Sequence, residues 1–173
     1  YLSAQPINTG REEMNGLDLG LVYSGAVGEV KISLDLNMTY LNKYVVNPFP
    51  GGAPIYFDGF IGGGNGGYPK WRGYGVLTAE KDGISATWST QWIGKATDFN
   101  ASAGDIGYRT PNVFYHNLQL AFAIDEKTRF QIGADNLFDR KAPYIQSFTD
   151  ANTDTMTYDL LGRRFYAGFR TAF

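Results

Sequence analysis

The chain has 173 residues with 22 Gly, 12 Tyr, 12 Phe and no Cys, and its 15 Lys and Arg nearly balance 17 Asp and Glu. That length suits one domain with a sizeable core. A net charge of −2 excludes a basic nucleic-acid footprint, the lack of Cys excludes disulfides and thiolate chemistry, and a single His excludes a His-built metal cluster. Apolar runs stop far short of the roughly 20 residues of a membrane helix. Tyr1 to Gln5 offer neither a basic n-region nor an apolar h-region, so the expectation is a cytoplasmic protein or a mature or internal piece of something longer.

Alternation of apolar and polar residues dominates. Leu17, Leu19, Leu21 and Tyr23 share one parity, and after Gly25–Gly28 so do Val30, Ile32, Leu34, Leu36, Met38 and Tyr40. Period 2 of this length predicts two strands joined by a short hairpin. Residues 47–69 are rich in Gly, Pro and aromatics and read as a flexible loop. Gly62–Gly67 lacks the Gly-Lys-Ser/Thr of a phosphate-binding loop. A third strand is predicted over 70–81, with Gly73 and Gly75 weakening its pattern. Asp82-Gly83 predicts a type I′ turn, and Ile84, Ala86, Trp88, Thr90 and Trp92 mark a fourth strand. After a loop over 97–111, Phe114, His116, Leu118, Leu120, Phe122 and Ile124 predict a fifth strand. Asp125–Thr128 is a short polar turn, Phe130, Ile132 and Ala134 mark a sixth strand, and 138–157 is a third loop. Phe165, Ala167, Phe169, Thr171 and Phe173 form a seventh.

Short turns follow strands one, three and five, and long loops follow two, four and six. In an antiparallel meander this sorts turns to one end and loops to the other, as in outer-membrane barrels. A soluble sandwich would turn its apolar rows to a core, and a membrane barrel would turn them to lipid. Tyr23, Tyr40, Trp71 and Trp92 near strand ends suit an interfacial girdle. On the barrel reading, Asp18, Lys31, Asp35, Gln131, Asp135, Arg164 and Arg170 face the lumen. Seven strands are an odd number, and bacterial single-chain barrels have even ones. Tyr1–Ile7 could complete an eighth but alternates weakly and holds Pro6, so the expectation is either a small barrel with a poor first strand or the C-terminal third of a larger one.

Asn136-Leu137-Phe138-Asp139 with Arg140–Pro143, then Tyr158-Asp159 and Gly162–Phe169, resembles the penultimate-strand end and closing strand of TonB-dependent outer-membrane receptors. Asn8-Thr9-Gly10, Gly16–Leu19 and Pro69–Arg72 are similar to other barrel segments of that family. The resemblance implies an all-β fold, the C-terminal third of a 22-stranded plugged barrel, with the plug domain absent from this chain. It implies energy-coupled import of a scarce nutrient such as a siderophore, cobalamin or oligosaccharide. The implied partners are outer-membrane lipid, the plug and remaining barrel, the TonB energy-coupling complex, the barrel assembly machinery and a small-molecule cargo. Phe173, with Phe169, would be the assembly signal. No catalysis and no cofactor are implied.

Within the first loop, Tyr56, Phe57, Phe60 and Tyr68 are candidate cargo contacts, because loops on a rigid scaffold carry binding. Asp150–Asp154 opens like a calcium loop, but Thr155 and Leu161 stand where Gly and a bidentate Glu belong. His116 has no Gly-x-Ser-x-Gly partner and reads as a structural interfacial residue. A self-contained eight-stranded barrel, either anchor or enzyme, and a soluble glycan-binding β-sandwich stay open as alternatives.

Overall fold

The computed structural model describes residues 10–62, 66–148 and 151–172. It contains β1 (Arg11–Val27), β2 (Val30–Asn47), β3 (Ile55–Tyr56), β4 (Phe60–Ile61), β5 (Trp71–Lys81), β6 (Ile84–Ile93), β7 (Thr97–Asp98), β8 (Val113–Ala123), β9 (Thr128–Asp135) and β10 (Arg164–Thr171), and no helix among the described residues. The seven long strands form one antiparallel sheet in the order β1-β2-β5-β6-β8-β9-β10. Every predicted strand is present. The candidate eighth, Tyr1–Ile7, lies outside the described residues, as does Phe173.

Cross-strand register carries each apolar row straight across the sheet. Leu34 sits opposite Tyr23 and Leu77; Leu77 opposite Trp88; Trp88 opposite Leu118; Leu118 opposite Ala134. Because opposed residues point to the same side, all seven strands put their apolar parity on one face. The opposite face carries a polar network. Thr39 Oγ1 donates to Asp18 (2.6 Å), Asn117 to Ser89 (3.0 Å), Gln119 to Gln131 (3.1 Å) and Arg129 to Ser85 (2.9 Å).

The glycines that blur the third strand's pattern have neighbours to accommodate. A Cβ on Gly73 would stand 3.3 Å from the Trp92 ring, on the apolar face. Gly133, on the polar face, lies directly beneath the Tyr166 ring. A bulky aromatic covering a cross-strand glycine fills the gap that the missing side chain leaves.

The turns are as tight as predicted, or tighter. Asp82 and Gly83 both have positive φ, 50° and 77°, as a type I′ turn requires. The first hairpin is narrower than Gly25–Gly28, since Val27 pairs directly with Val30 and Gly25 remains in strand opposite Ile32. The first two strands also run farther toward the loops than their alternation. The register slips between Asn15 and Gly16, leaving Asn42 as an unmatched residue, and this bulge hides the period.

The apolar rows are covered by no second sheet among the described residues, as a sandwich would demand. Leu17, Leu19 and Leu21 are each about half exposed, and Phe165 is 74% exposed. Each such side chain left in water forgoes about 1.5–3 kcal/mol of burial. β1 and β10 do not pair with each other, so the described strands form a length of wall, not a closed eight-stranded barrel.

Candidate functional site

The three long connections fold together into a layer above the sheet. β3 adds to the upper end of β2, and β4 pairs with β7 in parallel, Phe60 opposite Thr97 and Ile61 opposite Asp98. Phe99 N donates to Ile61 O at 2.9 Å. Ile61, Ile93, Val113 and Ile145 are essentially inaccessible, and with Ala96, Tyr115 and Tyr158 they make one core, flanked by Ala142 and Phe148. A flexible first loop was the expectation. Instead its stem is closed by the Ile61–Gly67 bridge and by Gly62 N donating to Gly66 O at 3.0 Å.

Buried polar residues tie this layer together. Asp98, 1% exposed, accepts hydrogen bonds from Ser147 Oγ (2.6 Å), Ser147 N (3.3 Å) and Asn100 N (3.0 Å). The third connection is thus fastened to the second by a carboxylate whose burial is tolerable only because it is bonded. Asn136, the first residue of the Asn-Leu-Phe-Asp run, is buried with φ 48°. Its side chain donates to Arg140 O (2.9 Å) and Asp159 (3.1 Å) and accepts from Arg140 N (2.8 Å), while its own N–H donates to Asn117 Oδ1 (2.8 Å). Asp139 (φ 53°) accepts from Arg163 N and from Lys141 Nζ, both at 3.0 Å. The motif is therefore a folded corner that sets the approach to β10. Alignment of Asn and Asp with left-handed positions is the sequence signal that could have identified it.

Three carboxylates of the layer have pKa values below the ordinary Asp value; Asp139 is held down by the hydrogen bonds from Arg163 N and Lys141. Burial pushes Asp58 upward, but Lys70 (3.0 Å) and the Tyr44 N–H (3.2 Å) outweigh it. Burial likewise raises Asp159, and hydrogen bonds from Leu161 N, Arg164 and Asn136 more than compensate.

Of the four candidate contact residues of the first loop, Phe57, Phe60 and Tyr68 gather around Tyr44 and Phe99, and Tyr56 lies exposed on β3. Phe57 is 6% exposed, packed on Tyr44 (centroids 5.4 Å) and stacked on Phe99 (5.5 Å). Tyr68 lies edge-on to Tyr44 (4.7 Å), and Phe60 edge-on to Phe99 (5.8 Å). Both are partly covered, and Tyr56 is 54% exposed. Phe57 serves the packing of the layer, leaving Tyr56 with the largest open surface of the four.

Asp18, Lys31, Asp35, Gln131, Asp135, Arg164 and Arg170 all fall on the polar face by register. Arg164 is held by Asp159 (3.0 Å) and Asp135 (3.8 Å). Asp35 accepts from Asn37 (2.6 Å). Arg170 is exposed, as is Phe169 on the opposite face.

On the apolar face an aromatic row crosses the loop end. Tyr40 packs on Trp71 (4.6 Å), Trp71 on Trp92 (6.2 Å), Trp92 on Phe114 (6.1 Å) and Phe114 on His116 (6.3 Å). His116 Nδ1 shares a hydrogen bond with Thr90 Oγ1 at 2.9 Å. Tyr23 is not in this row. β1 continues four residues past it to Val27, and Tyr23 lies opposite Leu34, well inside the sheet. Asp154 spends its carboxylate on Met156 N (3.1 Å) and Thr157 Oγ1 (2.6 Å). Among the described residues no three His, Asp or Glu are grouped to hold a metal ion.

One antiparallel meander, apolar on one side and hydrogen-bonded on the other, with turns at one end and a folded layer at the other, is the architecture of a length of β-barrel wall. Two crystal structures of mutants of the ferric enterobactin receptor PfeA from Pseudomonas aeruginosa share it, with TM-scores of 0.63 and 0.62 at 19% identity. Each comparison covers 92% of this chain and 22% of the receptor chain, so the chain spans about a fifth of that protein's length. At this identity the likeness establishes the fold. No family model and no curated protein matches the sequence.

Proposed function

We propose that this chain is part of the wall and loop layer of an outer-membrane receptor that imports a scarce nutrient by energy-coupled transport. The observation that carries the proposal is the uncovered apolar face with its aromatic row, backed by a continuous polar face. From Phe114 in that row to Phe122 at the turn end is eight residues, about 26 Å along a strand. That length suits a tilted crossing of the hydrocarbon layer.

The missing strands would pair with β1 and β10, since an unpaired backbone edge in lipid costs several kcal/mol per group. In this reading a plug domain fills the lumen and meets the polar face, where Asp18, Lys31, Asp35, Gln131, Asp135, Arg164 and Arg170 stand. A TonB-type complex supplies the energy, and the wall performs no covalent chemistry. The cargo is a siderophore, a cobalamin or an oligosaccharide. The solved receptors' ferric enterobactin favours the first of these as a probe. Phe173, with Phe169, is proposed as the signal read by the barrel assembly machinery.

The test is cell fractionation and uptake with the complete reading frame. The protein is expected in the outer membrane, and its deletion is expected to abolish uptake of one such cargo. A soluble, detergent-independent product would overturn the proposal. Tyr56→Ala is expected to weaken cargo binding while leaving the protein level unchanged, and unaltered binding would remove Tyr56 from the contact set. Deleting Phe173 is expected to lower the outer-membrane level, and an unchanged level would remove the assembly role.

A further inference from the structure

Above the aromatic row, on the same apolar side of the sheet, lies a cleft of about 700 Å³. Tyr40, Trp71 and Trp92 line it from below. Its upper boundary comes from the first and second connections and carries Lys70, Lys95 and Arg109 against one carboxylate, Asp58. Asp58 is already engaged by Lys70 at 3.0 Å. Lys95 and Arg109 are exposed and form no ion pair among the described residues.

The mouth is built, not accidental. Gly94 N donates to Trp71 O at 2.8 Å, and Asn112 Oδ1 accepts from Lys95 N (3.1 Å) and from Trp92 Nε1 (3.4 Å). These bonds hold the cationic segment directly over the indoles. Lys95 stands three residues beyond Trp92 and two past the end of β6. Aromatic belts sit at the headgroup level of a bilayer, so the two unpaired cations lie at or just above that level. Basic pockets there recognise lipid phosphate, and Arg and Lys are the usual phosphate partners.

We propose that this cleft binds the phosphate-bearing headgroup of a lipid, with Lys95 and Arg109 on the phosphate and the Trp71–Trp92 stack against the upper acyl chain. The inference rests on the outer-membrane reading above and adds a specific ligand class on the outer side of the wall, in a cleft that shares Phe60 with the candidate cargo contacts.

The test uses the full chain purified in detergent and native mass spectrometry of retained lipid. The probes are phosphatidic acid and a monoglucosyl diacylglycerol with the same acyl chains. Phosphatidic acid is expected to be retained at least tenfold better. Lys95→Glu with Arg109→Glu is expected to erase that preference, and Lys127→Glu, at the opposite turn, to preserve it. Raising salt from about 0.1 to 1 M shortens the screening length from about 10 to 3 Å and is expected to weaken retention in the unaltered protein, which tests the site without any variant. Equal retention of the two lipids, an unchanged preference in the double variant, or displacement by millimolar inorganic phosphate would overturn the proposal. Brominated acyl chains separate the two levels of inference. Quenching of the tryptophans without headgroup preference defeats only the phosphate site, whereas no quenching defeats the membrane reading as well.

Discussion

Phe57 and Phe169 are the same residue in opposite circumstances. Phe57 is 6% exposed, enclosed by Tyr44 and Phe99 in the loop layer, and Phe169 is 66% exposed on the apolar face of the sheet. The loop layer is organised as water demands, with aliphatic and aromatic side chains inside and bonded carboxylates holding segments together. The sheet is organised the other way, with its bulky rows exposed on one face and its hydrogen-bonding residues on the other. On the membrane reading proposed above, one chain carries two solvent regimes, and the aromatic row from Tyr40 to His116 is their boundary.

The sharpest way to break that comparison is a charge placed on each side of the wall. Leu34→Arg, in a central apolar row, is expected to destabilise folding into lipid vesicles by about 2–4 kcal/mol. Phe122→Arg, four residues nearer the turn, is expected to cost less, because the penalty falls toward the interface. Thr39→Arg on the polar face is expected to be far milder than Leu34→Arg. Urea titration of vesicle-reconstituted protein measures all three, and equal losses for Leu34→Arg and Thr39→Arg would abolish the distinction between the faces.

Next in size is Asn136→Ala. It removes one buried partner from Arg140 and from Asp159 and forces a Cβ-bearing residue without local hydrogen bonds to hold φ 48°. The expected loss is about 2–3 kcal/mol, concentrated in the corner before β10 and visible as hydrogen exchange over 136–148 and 151–163. Asp98→Ala is expected to cost about 1–3 kcal/mol. It should release the segment around Ser147 to proteolysis while the strands stay protected. Loss of strand protection in step with the loops would mean that the layer and sheet are one cooperative unit.

The sheet was legible in the sequence because period 2 is a local signal, and because turns such as Asp82-Gly83 specify their own geometry. Where the signal failed, a neighbour had intervened. The bulge at Asn42 displaced the register, and Gly73 lost its apolar marker to make room beneath Trp92. The loop layer was not legible, since its contacts join distant residues. Asp98 and Ser147 are 49 positions apart, and β4 meets β7 in parallel across an entire hairpin. A Gly- and Pro-rich composition looks the same whether a loop is free or folded. The candidate contacts Tyr56, Phe57, Phe60 and Tyr68 were legible as a group. The burial of Phe57 was not, because it depends on Phe99 from another connection.

The smallest expected effect is acid sensitivity confined to the loop layer. Asp58 and Asp159 have folded-state pKa values below the ordinary Asp value. A carboxyl depressed on folding stabilises the folded state above its unfolded pKa, near 3.9. That contribution is lost as pH falls from there through the depressed value. Hydrogen-exchange protection over 55–62, 66–70 and 157–163 is thus expected to be flat from pH 7 to about 4 and to decline below it. The central rows of the sheet, whose apolar face carries no carboxylate, are expected to hold. Asp58→Asn should flatten the decline over the first of these segments without altering the last. A decline that begins well above pH 5, or one shared equally by the central rows of the sheet, would break the assignment of acid sensitivity to these loop-layer carboxylates.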